Sequence, residues 1–300
     1  MKSIYKGLLL FAMVIILTIV GNSAFGFAGG ILGFVAGLLI IVLANLPLVL
    51  FMTGQREYTK GNHEKAYKLM QKAYSTTKLS PQNSLTYAYL MIRDGMLSES
   101  EALINKVTYL NKRDLTNGDL LLANINKSLI LWKKGELGEA IALLEEMYDK
   151  NLRSTTLYGT LGYFYILSNE LGKAIEFNKE GYEYNSDNMI IIDNLGACYI
   201  LNSEFEKAEE IYQKLFKQNP QFIEPYYNYG TLLEKKGMFD EAKEYYKKAL
   251  SFPEKYLSTV SHKDIRSSIE NLGVGKAIKT EETPIEDVQI GDISESEENE

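Results

Sequence analysis

Residues 224–250 read EPYYNYGTLLEKKGMFDEAKEYYKKAL. Two short amphipathic helices are legible in them. The first is expected over about 225–236, with Pro225 in the first turn, where a missing N–H leaves no bond unmade. Gly237 ends it in the left-handed conformation that glycine adopts at low cost. Asp240 is the expected cap of the second helix, which runs to about Leu250. Tyr226, Tyr229, Gly230 and Leu233 share one face of the first helix, and Phe239, Ala242, Tyr246 and Ala249 one face of the second. Gly230 and Ala242 are small where two helix backbones come close. A pair of helices this short cannot bury both its faces alone, so it needs neighbours built the same way.

Those neighbours are present. Gly196 and Gly162 precede Gly230 at steps of 34 residues; Ala208, Ala174 and Ala140 precede Ala242 at the same step, and Tyr212 precedes Tyr246. Pro220 and Pro253 fall near the ends of their repeats. Upstream, the pairs Gly135/Ala140, Gly95/Ser100 and Gly61/Ala66 keep the five-residue separation of Gly237 and Ala242. One step, from 100 to 140, is 40 residues, and the extra length fits the polar stretch 111–119 (NKRDLTNGD), a loop by composition. A fixed period in this range marks a solenoid, here of six repeats over roughly 47–254.

With these residues the chain resembles the tetratricopeptide repeat family, whose unit is a helix–turn–helix of 34 residues. The family pattern is met at Tyr226, Tyr229-Gly230, Leu233, Gly237, Ala242, Tyr246, Ala249 and Pro253. It recurs at Leu195-Gly196, Tyr199, Ala208, Tyr212 and Pro220, and at Leu161-Gly162, Tyr165 and Ala174. Tyr229 stands where Leu is usual, Thr53 and Tyr87-Ala88 depart from the Leu-Gly pair, and Lys78 replaces a Pro. The resemblance implies an all-α fold, a right-handed α-solenoid whose concave face takes up a peptide or a segment of another protein. Asn126, Asn194 and Asn228 hold one position in three repeats, one residue before the Leu-Gly column, and an amide there suits an extended peptide backbone. Trp132, Tyr163 and Tyr227 are expected on or near the same face, where aromatics carry binding energy. The Lys, Asn and Arg clamp that some members use for a terminal carboxylate is not reproduced: Asp193 and Gly159 stand where Lys is expected. Recognition of chaperone tails is therefore not predicted.

The N-terminal fifth has a different composition. Residues 7–20 (GLLLFAMVIILTIV) and 31–52 (ILGFVAGLLIIVLANLPLVLFM) are uncharged and apolar, joined by the Gly-rich 21–30. Each approaches the roughly 20 residues that cross a bilayer, so two transmembrane helices are expected, with Pro47 kinking the second. A cleaved signal peptide is the alternative for the first. Gly29, Gly33 and Gly37 recur every four residues, a stripe that lets helices approach in a membrane, either within the chain or in another copy, the homo-oligomer alternative. Lys2 and Lys6 precede the first segment, and Arg56, Lys60, Lys65 and Lys68 follow the second. Positive-inside bias then places both ends and the repeats in the cytoplasm of a multi-pass protein of the cell membrane.

Charge and chemistry narrow the function. Nine acids and no base fall in 281–300, which turns the −7 of the whole chain into +2 for the rest. No concentrated basic face follows, so nucleic acid is not an expected partner. Cys198 is the single cysteine and is read as a buried apolar residue. His63-Glu64 opens like a zinc-protease motif, but Tyr67 stands where the second His is needed. His262 is read as a solvated surface side chain. No nucleophile with a base at recognisable spacing is found, and neither catalysis nor a cofactor nor a metal is expected.

The expected organisation is a transmembrane anchor at 1–52, a repeat solenoid at 53–254, a capping helix at 255–273 and an acidic disordered tail at 274–300. The expected function is a membrane-tethered scaffold that binds protein or peptide. The alternative is a structural or assembly subunit of a membrane complex for transport, secretion or envelope biogenesis, bound through the glycine stripe. Ala242→Asp is expected to lower stability by about 2–5 kcal/mol, because it leaves a carboxylate unpaired at a close helix contact. A thermal melt followed by circular dichroism checks this; an unchanged midpoint would mean that the packing columns are misassigned.

Overall fold

A computed structural model describes residues 2–76 and 79–272, with side chains from residue 7 onward. The expected acidic tail, Gly273 and Lys78 lie outside the described residues. Among the described residues there are fourteen helices and no strand. They are α1 (Lys2–Ala44), α2 (Leu46–Thr59), α3 (His63–Ser75), α4 (Pro81–Arg93), α5 (Leu97–Leu110), α6 (Asn117–Lys133) and α7 (Leu137–Asp149). There follow α8 (Thr155–Leu167), α9 (Leu171–Tyr184), α10 (Met189–Leu201), α11 (Phe205–Phe216), α12 (Glu224–Lys235), α13 (Phe239–Leu250) and α14 (His262–Asn271). The chain divides into two compact units between Ser168 and Asn169.

The N-terminus departs from the expected pair of separate spans. One helical element, Gly7–Ala44, is long and apolar enough to cross a membrane. Its backbone leaves helical values at Phe25 (φ −134°, ψ 17°) and Gly26 (φ 64°, ψ −160°), the latter open to glycine. The element folds back on itself there. The glycine stripe lies along the fold: a methyl on Gly29 would run into the Gly21 carbonyl, one on Gly33 into that of Leu17, and one on Gly37 would lie 3.0 Å from Val14 Cα. The expected second span, 31–52, is divided by Asn45 (φ −113°, ψ 15°) between α1 and α2. Pro47 sits in the first turn of α2, where its fixed φ suits helix entry, and the expected kink falls in the turn before it, at Asn45.

In the first unit the helices pair in order. α2 packs on α3, α4 on α5 and α6 on α7; α4 also lies against α6, and α6 against α8. Ala66, Ala88 and Ala140 are fully buried at the crossings. Where Ser100 replaces alanine, its hydroxyl donates to the Ala88 carbonyl oxygen at 2.9 Å, so the polar atom is satisfied within the core. The loop expected over 111–119 is shorter than that. Thr116 accepts from the Asp119 N–H at 3.1 Å and Asp119 accepts from the Thr116 N–H at 3.0 Å, a capping box that starts α6 at Asn117.

In the second unit α10 pairs with α11 and α12 with α13, and α10 lies beside α12. The columns read from the sequence meet here. A methyl on Gly196 would lie 2.6 Å from the Tyr212 ring, and one on Gly230 2.7 Å from that of Tyr246. The glycines are small for these rings as much as for the crossing backbones. Tyr212 OH finds Asp193 and Tyr246 OH finds Glu234 Oε2, while Tyr226 OH donates to the Pro220 carbonyl oxygen. The tyrosines therefore fill the core and still satisfy their hydroxyls. Asp240 is not the cap expected for α13. The helix starts at Phe239, and Asp240 and Glu241 occupy its first turn, where the macrodipole favours acids.

The capping segment is shorter than 255–273. Ser261 and Asp264 form a capping box that starts α14 at His262, and the residues before it turn without helix. Ile265 is fully buried and Val260 nearly so, while Tyr256 stays exposed. His262 is not simply solvated: its Nε2 lies 2.9 Å from the Phe252 carbonyl oxygen.

The turns within the repeats share one conformation. Gly61, Gly95, Gly135 and Gly237 all have φ between 80° and 87°, and Asn169 (φ 62°) and Ser203 (φ 59°) take the same place in the remaining two. An L-residue in that region costs roughly 1–2 kcal/mol, least for Asn. Ser203→Gly is therefore expected to raise stability by about 1 kcal/mol. Chemical denaturation checks this; an unchanged or lower stability would show that Ser203 is not strained.

Candidate functional site

The expected partner-binding residues do not share one environment. Asn126, on α6, is fully buried; its Nδ2 donates to the Leu85 carbonyl oxygen at 2.8 Å, and its Oδ1 is buried without a protein partner. It bridges α6 to α4 and offers no surface. Asn194 is likewise buried at 5% exposure. Within each unit the amides of this column that reach a neighbouring first helix are those of Asn126, to Leu85 on α4, and Asn228, to Asp193 on α10.

Trp132 and Tyr163 do come together. Their rings meet edge to face at 5.7 Å, both half-buried, with Phe164 beneath Trp132 and Lys133 Nζ 4.0 Å above its ring. This is an aromatic patch on α6 and α8 with a cation on one side. In the second unit Tyr227 is half-buried against Tyr246, with ring centroids 5.5 Å apart. Asn228, also half-buried, donates from Nδ2 to Asp193 Oδ1 at 3.0 Å.

Asp193 is legible in the sequence as a misfit in the clamp column, but not as the centre of a network. Its Oδ1 accepts from Tyr212 OH at 3.0 Å as well as from Asn228, so three helices, α10, α11 and α12, converge on one carboxylate. The residue is 6% exposed. Burial pushes its carboxyl up to about 7, the nearby Glu224 adds to this, and the bonds from Asn228 and Tyr212 act the other way.

A second carboxylate, Asp94, escapes a reading of the sequence. Tyr58 OH donates to its Oδ1 at 2.7 Å and Tyr67 OH to its Oδ2 at 2.8 Å, with His63 Nδ1 2.6 Å from Oδ2. Burial raises Asp94, but the bonds from Tyr58, Tyr67 and His63 outweigh it and hold the carboxyl below its ordinary value. The His63 and Tyr67 of the false zinc motif thus clasp the end of α4. The signal available is the four-residue spacing of His63 and Tyr67 on one face of α3. Among the described residues no three of His, Cys, Asp or Glu are grouped to hold a metal. Cys198 is fully buried, and burial pushes its thiol up to about 12.

Residues 223–256 match the family model described as tetratricopeptide repeat. A tetratricopeptide repeat protein from Parabacteroides merdae ATCC 43184 aligns over 84% of this chain and 96% of its own, with 13% identity and a TM-score of 0.57. A thermophilic TPR protein of Thermus thermophilus aligns over 65% of this chain and 100% of its own, with 18% identity and a TM-score of 0.51. At such identities the likeness is one of fold. No curated protein matches the chain. The chain carries a tetratricopeptide repeat at 223–256 and has the helical fold of such repeat proteins.

Asp193 makes stability depend on pH. Its folded value of about 7 lies above the ordinary 3.8, so the folded state holds the proton more tightly. The stability this contributes is complete below pH ~4 and is lost as pH rises through ~7. At about 1.4 kcal/mol per unit, ionising the buried group costs on the order of 4 kcal/mol. Asp193→Asn is expected to stabilise the protein by about 2–4 kcal/mol above pH ~8 and by little below pH ~4. Denaturant titrations at the two pH values check this; an equal effect at both would remove the linkage.

Proposed function

We propose that the protein is a membrane-tethered scaffold that binds a peptide or protein segment through the exposed side chains of its first-helix faces. The observation that carries this reading is the run of helix pairs at a 34-residue step, one of which, 223–256, matches the tetratricopeptide repeat. Repeat folds of this kind present surfaces rather than reaction centres. The half-buried Trp132 and Tyr163 in the first unit and Tyr227 and Asn228 in the second are the side chains left for a partner. Asn126 and Asn194 are not among them.

The tether is the apolar fold of α1. Only 17% of its most apolar window is buried, whereas a core helix of a soluble protein would be mostly covered. Phe25 and Phe27 stand 80% and 82% exposed at the bend. What supports a hairpin inserted from the cytoplasmic side is the break at Phe25–Gly26, together with Arg56, Lys60, Lys65 and Lys68 beyond its second arm. Gly29, Gly33 and Gly37 are taken up by the chain's own first arm, which favours the scaffold over a subunit held through that stripe.

The full chain is expected to stay with membranes through alkaline carbonate washing, and a form lacking residues 1–45 to be released. Crosslinking in intact cells followed by detergent extraction is expected to retain the same proteins on both forms. Release of the full chain would remove the tether. Absence of any reproducible partner would remove the scaffold.

A further inference from the structure

The Asp193 network ends in an open valence. Oδ1 is filled by Tyr212 and Asn228, but Oδ2 accepts no hydrogen bond and is not sealed from solvent. The other groups facing the carboxylate are the amide of Asn228, the phenol of Tyr212 and the carboxylate of Glu224. Glu224 is turned to its own task, accepting from the Thr259 N–H at 2.9 Å. No Lys, Arg or His of the described chain pairs with Asp193. A carboxylate at a position more than nine-tenths buried, next to a second acid and without a cation, lacks one partner. The packing supplies donors to one oxygen only.

We infer that Asp193 Oδ2, beside the amide of Asn228, receives a side-chain cation, lysine or arginine, of the bound segment. This rests on the scaffold reading and names the chemistry of its partner in the second unit. The energetics agree. An arriving cation would recover in the complex what ionising a buried carboxylate costs in the free protein, so the attraction is larger than at an exposed acid. A metal is the weaker occupant, because one carboxylate oxygen and one amide fall short of the oxygen ligands that hard cations require.

The test uses the full chain in detergent micelles and a library of short random peptides with acetylated N-termini and amidated C-termini, selected above neutral pH. Wild type is expected to enrich peptides with Lys or Arg at one fixed position. Asp193→Asn, which keeps the acceptor for Tyr212 and Asn228, is expected to bind those peptides at least about tenfold more weakly. Asp187→Asn, which removes an exposed acid of the same unit, is expected to leave affinity unchanged and so separates the site from general attraction to an acidic protein. A parallel library with free N-termini separates sources: enrichment that requires the free amine assigns the cation to the chain start and overturns the side-chain assignment. Enriched peptides without a basic residue, or equal binding by Asp193→Asn, overturn the inference and leave the scaffold standing. Failure of either protein to select any peptide overturns both.

Discussion

A phenol ring laid over a glycine is the contact on which the second unit rests. Tyr212 covers Gly196 and Tyr246 covers Gly230, each ring so close that a single methyl would collide with it. The arrangement brings the second helix of a repeat down onto the first, fills the space with apolar carbon, and leaves the hydroxyl at the far edge, where Asp193 or Glu234 accepts from it. Phe216, Tyr226, Tyr229, Tyr245 and Phe252 continue the same aromatic packing, with neighbouring centroids between 4.6 and 5.6 Å. The high tyrosine content is thus a packing solution for helices of twelve or thirteen residues, too short to hold on propensity alone.

The repeats are legible in the sequence because they answer to local rules used six times over. A left-handed residue and a small residue five positions on recur in all six, every 34 residues but for one step of 40, and an aromatic four residues further, Tyr212 and Tyr246, follows in two of them; each has a steric reason. What is not legible depends on partners distant in sequence. Asn126 looks like a ligand-binding amide in its own repeat, and only the carbonyl of Leu85, on another helix, shows where it points. Asp94 is ordinary until Tyr58, His63 and Tyr67 converge on it. The joint between α1 and α2 is hidden for another reason. No charge interrupts 31–52, and a hydropathy average across it is blind to the dihedral change at Asn45 that divides it. The glycine stripe is visibly small in the sequence, but what occupies it depends on the fold at Gly26.

The two carboxylate networks show how the same side chain is handled in opposite ways. Asp94 receives three donors spread over both oxygens and is held as an anion. Asp193 receives two, both on one oxygen, in a more enclosed place and beside Glu224, and is pushed toward its neutral form. The first is a closed arrangement that clasps α3 to α4. The second is incomplete by the measure of its own chemistry, which is why a ligand is expected there rather than at the more conspicuous His63.

Asn45 is the only residue between α1 and α2, and it is itself pinned. Its amide donates to the Ile41 carbonyl oxygen at 2.8 Å while its own carbonyl accepts from the Val49 N–H at 3.0 Å. A joint of one residue, bonded to the helix on either side, has no slack. The dihedrals of that one residue set the angle at which the apolar arm meets the helix that opens the first repeat.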